Sequence, residues 1–281
     1  MKIDGRQIAN EIFEDLKNRV KSLKAKGITP HLYIILLSDD NSSLSYINQK
    51  KLKGEGLGIK ITIDAMGKNI STDELIDKIN VLNNKKNVNA VIVQRPMPKQ
   101  INEEKIANTV IPQKDIDGFN VNSLFATPVA FAVITILKKA HELSKINGDF
   151  NSWLKEKNIL VIGKGITAGA PIIKYLQKLG IKVNTVDSKT VNKDEILKNS
   201  DIIISAVGKE NVVRALDIKK DVILIDVGMH REVDGKFHGD YKENEIENKA
   251  LFYTPTPGGV GPINVAILME NLVDATENQT T

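Results

Sequence analysis

Ile159-Leu160-Val161-Ile162-Gly163-Lys164-Gly165-Ile166-Thr167-Ala168-Gly169-Ala170-Pro171 is the stretch that decides the fold. A short apolar run enters a glycine-rich turn, and the chain leaves that turn with the composition of a helix. Strand, tight turn and helix in this order place helix N–H groups where a pyrophosphate can be received. The spacing is G-x-G-x-x-x-G, one residue off the usual dinucleotide fingerprint. A second strand, Lys182 to Asp187, ends in Asp187-Ser188, about where such a unit meets the adenosine ribose. Asp187 there favours a free 2′-hydroxyl, whereas Lys164 and Ser188 favour a 2′-phosphate.

Working outward, the same alternation of apolar runs and helical spacing fills the chain. Further strands are expected at Asp201 to Val207 and Val222 to Gly228, with a helix from about Thr167 to Leu179. On the amino-terminal side, Asp4 to Lys24 carries apolar residues at helical spacing (Ile8, Ile12, Leu16, Val20, Leu23), with Gly27 as its stop. Leu32 to Leu37 reads as a strand covered on both faces, because its apolar run is continuous. Helix from Ser42 to Leu57, strand from Ile59 to Met66, and a capping box at Ser71-Thr72-Asp73-Glu74 opening a helix to about Leu82 follow. Ala90 to Gln94 is the next strand, and Thr127 to Leu143 a long helix. Ser144 to Asn158 reads as a polar connector, and Met229 to Tyr241 as a hairpin turning at Asp234-Gly235. The fold class is α/β, with two α/β domains in tandem, the second of Rossmann type.

One more stretch stands apart. Thr254-Pro255-Thr256-Pro257-Gly258-Gly259-Val260-Gly261-Pro262 packs three glycines and three prolines into nine residues, a rigid loop that a ligand can approach closely. Pro262 then falls in the first turn of an apolar helix, where its missing N–H costs nothing.

Bulk composition narrows the class. The 281 residues are 41% hydrophobic and 26% charged, ordinary for a soluble globular protein. A net charge of +4 from scattered lysines suits anionic ligands and speaks against nucleic-acid binding. The absence of cysteine excludes disulfides, thiolate metal sites and cysteine nucleophiles. The four histidines show no ligand spacing, so no metal is expected. Apolar runs are too short to span a bilayer and the amino terminus lacks a signal-peptide core, which makes the cytoplasm the expected location.

Ser45-Tyr46-Ile47-Asn48-Gln49-Lys50, Val93-Gln94-Arg95-Pro96-Met97-Pro98, Lys114-Asp115-Ile116-Asp117-Gly118-Phe119, the Gly163 turn, Ser205-Ala206-Val207-Gly208-Lys209, Ile225-Asp226-Val227-Gly228 and the Pro257 to Pro262 loop occur in an order and spacing that resemble one family. It is the bifunctional methylenetetrahydrofolate dehydrogenase/methenyltetrahydrofolate cyclohydrolase family of the FolD type, and the resemblance runs over nearly the whole chain. It implies a catalytic folate-binding domain over 1–118 completed by the helix within 256–281, a nicotinamide domain over 119–255, an active-site cleft between them, and a homodimer. By the same resemblance Lys50, Gln94 and Asp117 are catalytic, Lys50 being the essential group, Gln94 its support and Asp117 the pterin ligand. Tyr46, Pro257, Gly258, Gly259 and Val260 line the substrate, a tetrahydrofolate derivative. NAD(P) falls to Gly163, Lys164, Gly165, Ile166, Thr167, Gly169, Pro171, Asp187, Ser188, Ala206, Val207, Gly208, Asp226 and Gly228.

The residues themselves agree with several of these roles. Tyr46 and Lys50 are i and i+4 on one helix and share a face, while Lys51 and Lys53 belong to the open face. A lysine in a dry cleft has its pKa lowered and becomes a proton-transfer group. Gln94 ends a strand, the edge where open α/β sheets bind ligands, and Asp117 on a glycine-flanked loop can accept two N–H bonds.

Departures from the family pattern bear on selectivity. Gly163-Lys164-Gly165 stands for the usual Gly-Arg-Ser and Asp187-Ser188 for His-Ser, so NADP is the implied cofactor with NAD or dual use left open. Phe125-Ala126-Thr127-Pro128 lacks the usual cysteine, Arg95 and Met97 replace apolar residues beside Gln94, and Ile263-Asn264 stand where Met-Thr is common. Two other readings compete: another two-domain dehydrogenase of small acids, of the shikimate type, and a dinucleotide-sensing regulator without turnover. A shikimate-type site could also use a lysine in its first domain but does not explain Tyr46, Gln94 and the Pro257 to Pro262 loop together, and intact Lys50 weighs against the regulator.

Overall fold

The computed structural model describes residues 1–38, 41–231 and 235–280. Its elements in chain order are α1 (Gly5–Ala25), β1 (His31–Leu36), α2 (Asn41–Leu57), β2 (Lys60–Ala65), α3 (Thr72–Asn83), β3 (Ala90–Val93) and α4 (Glu103–Thr109). After them come α5 (Pro128–Leu143), α6 (Phe150–Lys155), β4 (Ile159–Ile162), α7 (Gly169–Lys178), β5 (Val183–Val186), α8 (Lys193–Asn199), β6 (Ile202–Ser205) and β7 (Val222–Asp226). The chain finishes with β8 (His230–Arg231), β9 (Phe237–His238), α9 (Glu243–Ile246), β10 (Ala250–Tyr253) and α10 (Val260–Thr280). Two compact units divide it: Asn10–Pro128 with Val265–Thr281, and Met1–Ala9 with Val129–Asn264.

In the first unit a parallel three-stranded sheet has the order β2-β1-β3. The continuous apolar run of β1 takes the central place, and Leu32, Ile34 and Ile35 have no solvent exposure. β2 sits at an edge, and its residues are exposed or half-buried. The core joins Ile35 and Leu37 to Leu75, Ile79 and Leu82 of α3 and to Ile106 of α4; truncating one of these to alanine costs about 2–5 kcal/mol. α3 opens with the expected capping box: Ser71 Oγ accepts from Glu74 N at 3.2 Å, and Ser71 N donates to Glu74 Oε2 at 2.8 Å. At the other end of α3, the buried Lys114 ammonium donates to the carbonyls of Leu82, Asn83 and Lys85 at 3.0, 2.8 and 2.8 Å, where a cation complements the helix dipole. Arg19 of α1 clamps α10 through Asp274 and Glu277 at 2.5 and 2.6 Å.

The second unit holds a parallel sheet of order β10-β7-β6-β4-β5. Numbered within the unit this is the doubly wound order 2-1-3-4-5, whose topological switch point lies between β4 and β6. Leu160, Ile203 and Leu224 anchor its core. Met1 to Ala9 joins this unit because Ile3 N donates to Tyr253 O at 2.8 Å and Lys2 bridges Tyr253 in parallel.

Between the units the chain changes over at the start of α5, and the amino-terminal residues to Ala9 run with the dinucleotide unit. The expected connector from Ser144 to Asn158 contains α6, capped by Asp149, whose carboxylate accepts from Ser152 N at 2.9 Å. Trp153 packs there against His141 and Phe150, with ring centroids 5.1 and 5.9 Å apart. The hairpin forms as an antiparallel pair of β8 and β9; Asp234 of its expected turn lies outside the described residues.

Candidate active site

Each unit contributes a site at the carboxy edge of its sheet. In the first, α2 runs from the β1 loop so that Tyr46 and Lys50 face inward one turn apart, and Lys51 and Lys53 face solvent. Lys50 is 3% exposed. Its Nζ lies 4.8 Å from the centroid of the Tyr46 ring and donates to Gln94 Oε1 at 3.1 Å. Gln94 is buried as well, and its Nε2 donates to Arg95 O at 2.8 Å, which fixes the amide with its oxygen toward the lysine. Burial pushes the Lys50 amine below the ordinary lysine value, and the Asp117 carboxylate works in the opposite direction. A neutral amine with one oriented partner can take up a proton.

Asp117 is presented by a loop that Asp115 builds. Asp115 is buried and accepts from Gly118 N at 3.1 Å and from Asn120 N at 2.8 Å; burial raises its carboxyl above the ordinary range. Gly118 adopts φ +73°, and a Cβ there would sit 2.7 Å from Thr127 N. Arg95, next to Gln94, stacks on Phe119 with its guanidinium 4.2 Å from the ring centroid and bonds Glu103. The Arg95 departure thus braces the loop that carries Asp117.

In the second unit, Gly163 follows β4 with φ +89°, and a Cβ there would lie 2.6 Å from Ala206 O of the neighbouring loop. A Cβ on Gly169 would lie 2.0 Å from Gly163 O. Gly163 is required by close backbone approach across the switch point and Gly169 by close approach within the turn itself. No side chain caps α7, and Lys164 to Thr167 are exposed in front of it, with Pro171 in its first turn. These features fit a dinucleotide: a backbone cradle and an uncapped helix start suit a pyrophosphate. Asp187 and Ser188 are exposed at the end of β5. The Asp187 carboxylate accepts from Lys189 N at 3.0 Å and Thr190 Oγ1 at 3.1 Å, and meets Lys164 Nζ at 3.4 Å; these contacts hold it below the usual carboxylate range.

Ala206, Val207 and Gly208 form the loop after β6, with Val207 38% exposed. Asp226 and Gly228 are buried. The Asp226 carboxyl accepts from Asp240 N at 3.0 Å and from Thr256 Oγ1 at 2.9 Å inside the unit. The Pro257 to Val260 segment belongs to this unit too. Gly258 takes φ +117°, and a Cβ on Gly5 would overlap Gly259 O at 1.8 Å, so α1 begins directly against this loop. Among the described residues no group of three or more His, Asp or Glu is arranged to hold a metal. No described helix is long and apolar enough to cross a membrane.

A doubly wound sheet with a glycine cradle at its switch point, in one chain with a buried lysine and amide, defines an NAD(P)-dependent oxidoreductase. The family models sharpen this. Residues 3–117 match the tetrahydrofolate dehydrogenase/cyclohydrolase catalytic domain, and residues 127–280 match the NAD(P)-binding domain of the same family. The chain belongs to that family, and is a bifunctional methylenetetrahydrofolate dehydrogenase and methenyltetrahydrofolate cyclohydrolase. It is 37% identical over 272 residues to the bifunctional protein FolD of Staphylococcus epidermidis, an alignment spanning 96% of this chain and 94% of the relative. The FolD structure from Campylobacter jejuni superposes with a TM-score of 0.90 at 33% identity, covering 99% of both chains. The Trypanosoma brucei enzyme, solved with NADP and an inhibitor, gives 0.89 at 27% identity, covering 100% of this chain and 98% of the other.

Proposed function

We propose that Lys50 is the proton-transfer residue of the cyclohydrolase, Gln94 its orienting partner and Asp117 the pterin ligand, with NADP as the cofactor of the dehydrogenase. The observation that carries this reading is the buried Lys50 amine bonded to Gln94 at 3.1 Å. NADP, when bound, accepts the hydride of 5,10-methylenetetrahydrofolate at C4 of its nicotinamide. The turn from Gly163 to Gly169, with Pro171 behind it, receives the pyrophosphate on backbone N–H groups, and Ala206 to Gly208 flank it across the switch point.

Loss of hydride leaves the 5,10-methenyl cation, and an ammonium next to it would oppose its formation. Desolvation shifts Lys50 toward the neutral amine, which lessens that repulsion. In the hydrolytic step a water adds to the methenyl carbon while the Lys50 amine takes its proton. As ammonium, Lys50 returns that proton to N5 as the bond from that nitrogen to carbon breaks, the carbinol O–H gives up its remaining proton to solvent as the C=O forms, and 10-formyltetrahydrofolate results. Gln94 keeps one N–H of Lys50 engaged, which aims the lone pair. Asp117 accepts from the amino-pyrimidinone edge, and Tyr46 lies along the pterin.

Lys164 and Ser188 take the 2′-phosphate once Lys164 turns from Asp187. Family membership supports a homodimer in the cytoplasm as part of the same reading. The test is reduction of NADP and NAD, in parallel, by purified protein with 5,10-methylenetetrahydrofolate, followed by hydrolysis of methenyltetrahydrofolate. Faster turnover with NADP and hydrolysis without any dinucleotide are expected; failure of both dinucleotides would refute the dehydrogenase.

A further inference from the structure

After β6 the chain crosses the carboxy edge of the sheet beside the Gly163 turn, with Ala206 N donating to Ile162 O at 2.8 Å. Three successive N–H groups of this loop then turn inward. Val207 N reaches Asp240 Oδ2 at 2.9 Å, and Gly208 N and Lys209 N reach Oδ1 at 2.8 and 3.0 Å. Ser205 Oγ donates to the same Oδ2 at 2.5 Å. Asp240 has no solvent exposure. Only an acceptor on both branches satisfies four donors; an asparagine would turn its own NH₂ toward one of the pairs.

A second carboxyl lies next to the first. Asp226 Oδ2 accepts from Asp240 N at 3.0 Å and from Thr256 Oγ1 at 2.9 Å, while Oδ1 is buried and makes no hydrogen bond. Glycines make room for both groups: a Cβ on Gly228 would meet Asp240 Oδ1 at 2.2 Å, and one on Gly239 would meet Asp226 Oδ2 at 1.7 Å. One carboxyl saturated by donors and a neighbour with a bare oxygen cannot both be ionised cheaply in the interior.

We infer that Asp240 is the positioning residue of the dinucleotide site: its ionised carboxylate shapes Ser205 to Lys209, a neutral Asp226 supports it, and the loop's inward N–H groups leave the pyrophosphate to the Gly163 turn. Burial and the charge of Asp240 push the Asp226 carboxyl up to about 8, in keeping with this assignment. The inference rests on the 205–209 loop bordering the dinucleotide. It accounts for a run of N–H groups at a switch point that does not face outward.

The test uses Asp240→Asn and Asp226→Asn in the full chain, reading KM for NADP in the dehydrogenase and kcat for hydrolysis of methenyltetrahydrofolate, which needs no dinucleotide. Asp240→Asn is expected to raise KM for NADP about tenfold or more with hydrolysis within about twofold, since buried donors lose their acceptor at the loop alone. Asp226→Asn, an amide in place of a neutral acid, is expected to give at most about a fifth of that rise. Unchanged KM in Asp240→Asn, equal damage from Asp226→Asn, or a parallel loss of both activities would overturn the inference. Should Asp240→Asn not fold, Ser205→Ala removes one donor from the same carboxylate: a rise of about threefold supports the inference and none overturns it. A wild-type enzyme that reduces neither NADP nor NAD would refute the dinucleotide reading itself, a result distinct from all of these.

Discussion

Lys50 Nζ and Gln94 Oε1 stand 3.1 Å apart in the interior of the first unit, one brought by α2 and the other by the end of β3. A lysine is rarely found so buried without a carboxylate in its hydrogen bond, and here the bonded partner is a neutral amide. That choice keeps the amine desolvated and stabilises its charged form less than a bonded carboxylate. A carboxylate in the place of Gln94 would do the reverse.

Gln94→Glu is therefore expected to raise the Lys50 pKa and move the rising limb of the cyclohydrolase pH profile to higher pH. The rate at neutral pH should fall about tenfold or more, one pKa unit being tenfold in the neutral fraction. A profile unchanged from wild type would show that the amide does not tune the amine.

The same burial leaves a mark on stability. The folded pKa of Lys50 lies below its unfolded value of 10.5. Between the two the unfolded chain binds the extra proton, so stability rises with pH through that window, and below the folded pKa the full penalty of burying the charge is present. Lys50→Met removes this dependence. Denaturation of both proteins from neutral pH to pH 10 should show wild type gaining on the variant as pH rises.

Gly169→Ala should damage the dehydrogenase selectively. The added Cβ falls 2.0 Å from Gly163 O, so the turn must shift. Displacements of about 1 Å at a positioned site cost on the order of 100-fold, and KM for NADP and NAD should both rise steeply. Hydrolysis of methenyltetrahydrofolate should persist, and its loss in parallel would argue for misfolding instead.

Lys164 and Asp187 form an exposed pair at 3.4 Å. Lys164→Met should raise KM for NADP roughly fivefold, in line with a single screened surface charge, and leave KM for NAD little changed. Added salt should shrink the difference. An equal effect on both dinucleotides would remove Lys164 from the 2′-phosphate.

Much of this arrangement is legible in the sequence, for identifiable reasons. β1 and β4 are continuous apolar runs because both faces of a parallel sheet are covered, and Ser71 with Glu74 announces α3 by reciprocal capping. Lys50 and Gln94 can be matched to motifs, yet their bond depends on a strand separated from α2 by β2 and α3. α4 and α8 escape a periodicity reading because each buries a single side chain, Ile106 and Leu197. α6 hides in a polar stretch whose only strong signal is the Asp149 cap. Asp240 is the clearest omission. A lone acid in Gly239-Asp240-Tyr241 has no periodic or motif signal, and its four donors come from residues 205–209, distant in sequence. Gly239 beside it is the one local hint that backbone and carboxylate approach closely there.

The central claim is that one buried amine performs the hydrolytic chemistry while the dinucleotide site stands independently of it. The most direct measurement is the hydrolysis rate of methenyltetrahydrofolate by Lys50→Met, alongside NADP binding to the same variant. A fall in kcat of about 10²–10⁴-fold with NADP binding within about twofold of wild type is the predicted result. Hydrolysis retained within about tenfold, below what general acid–base catalysis contributes, would contradict the role assigned to Lys50.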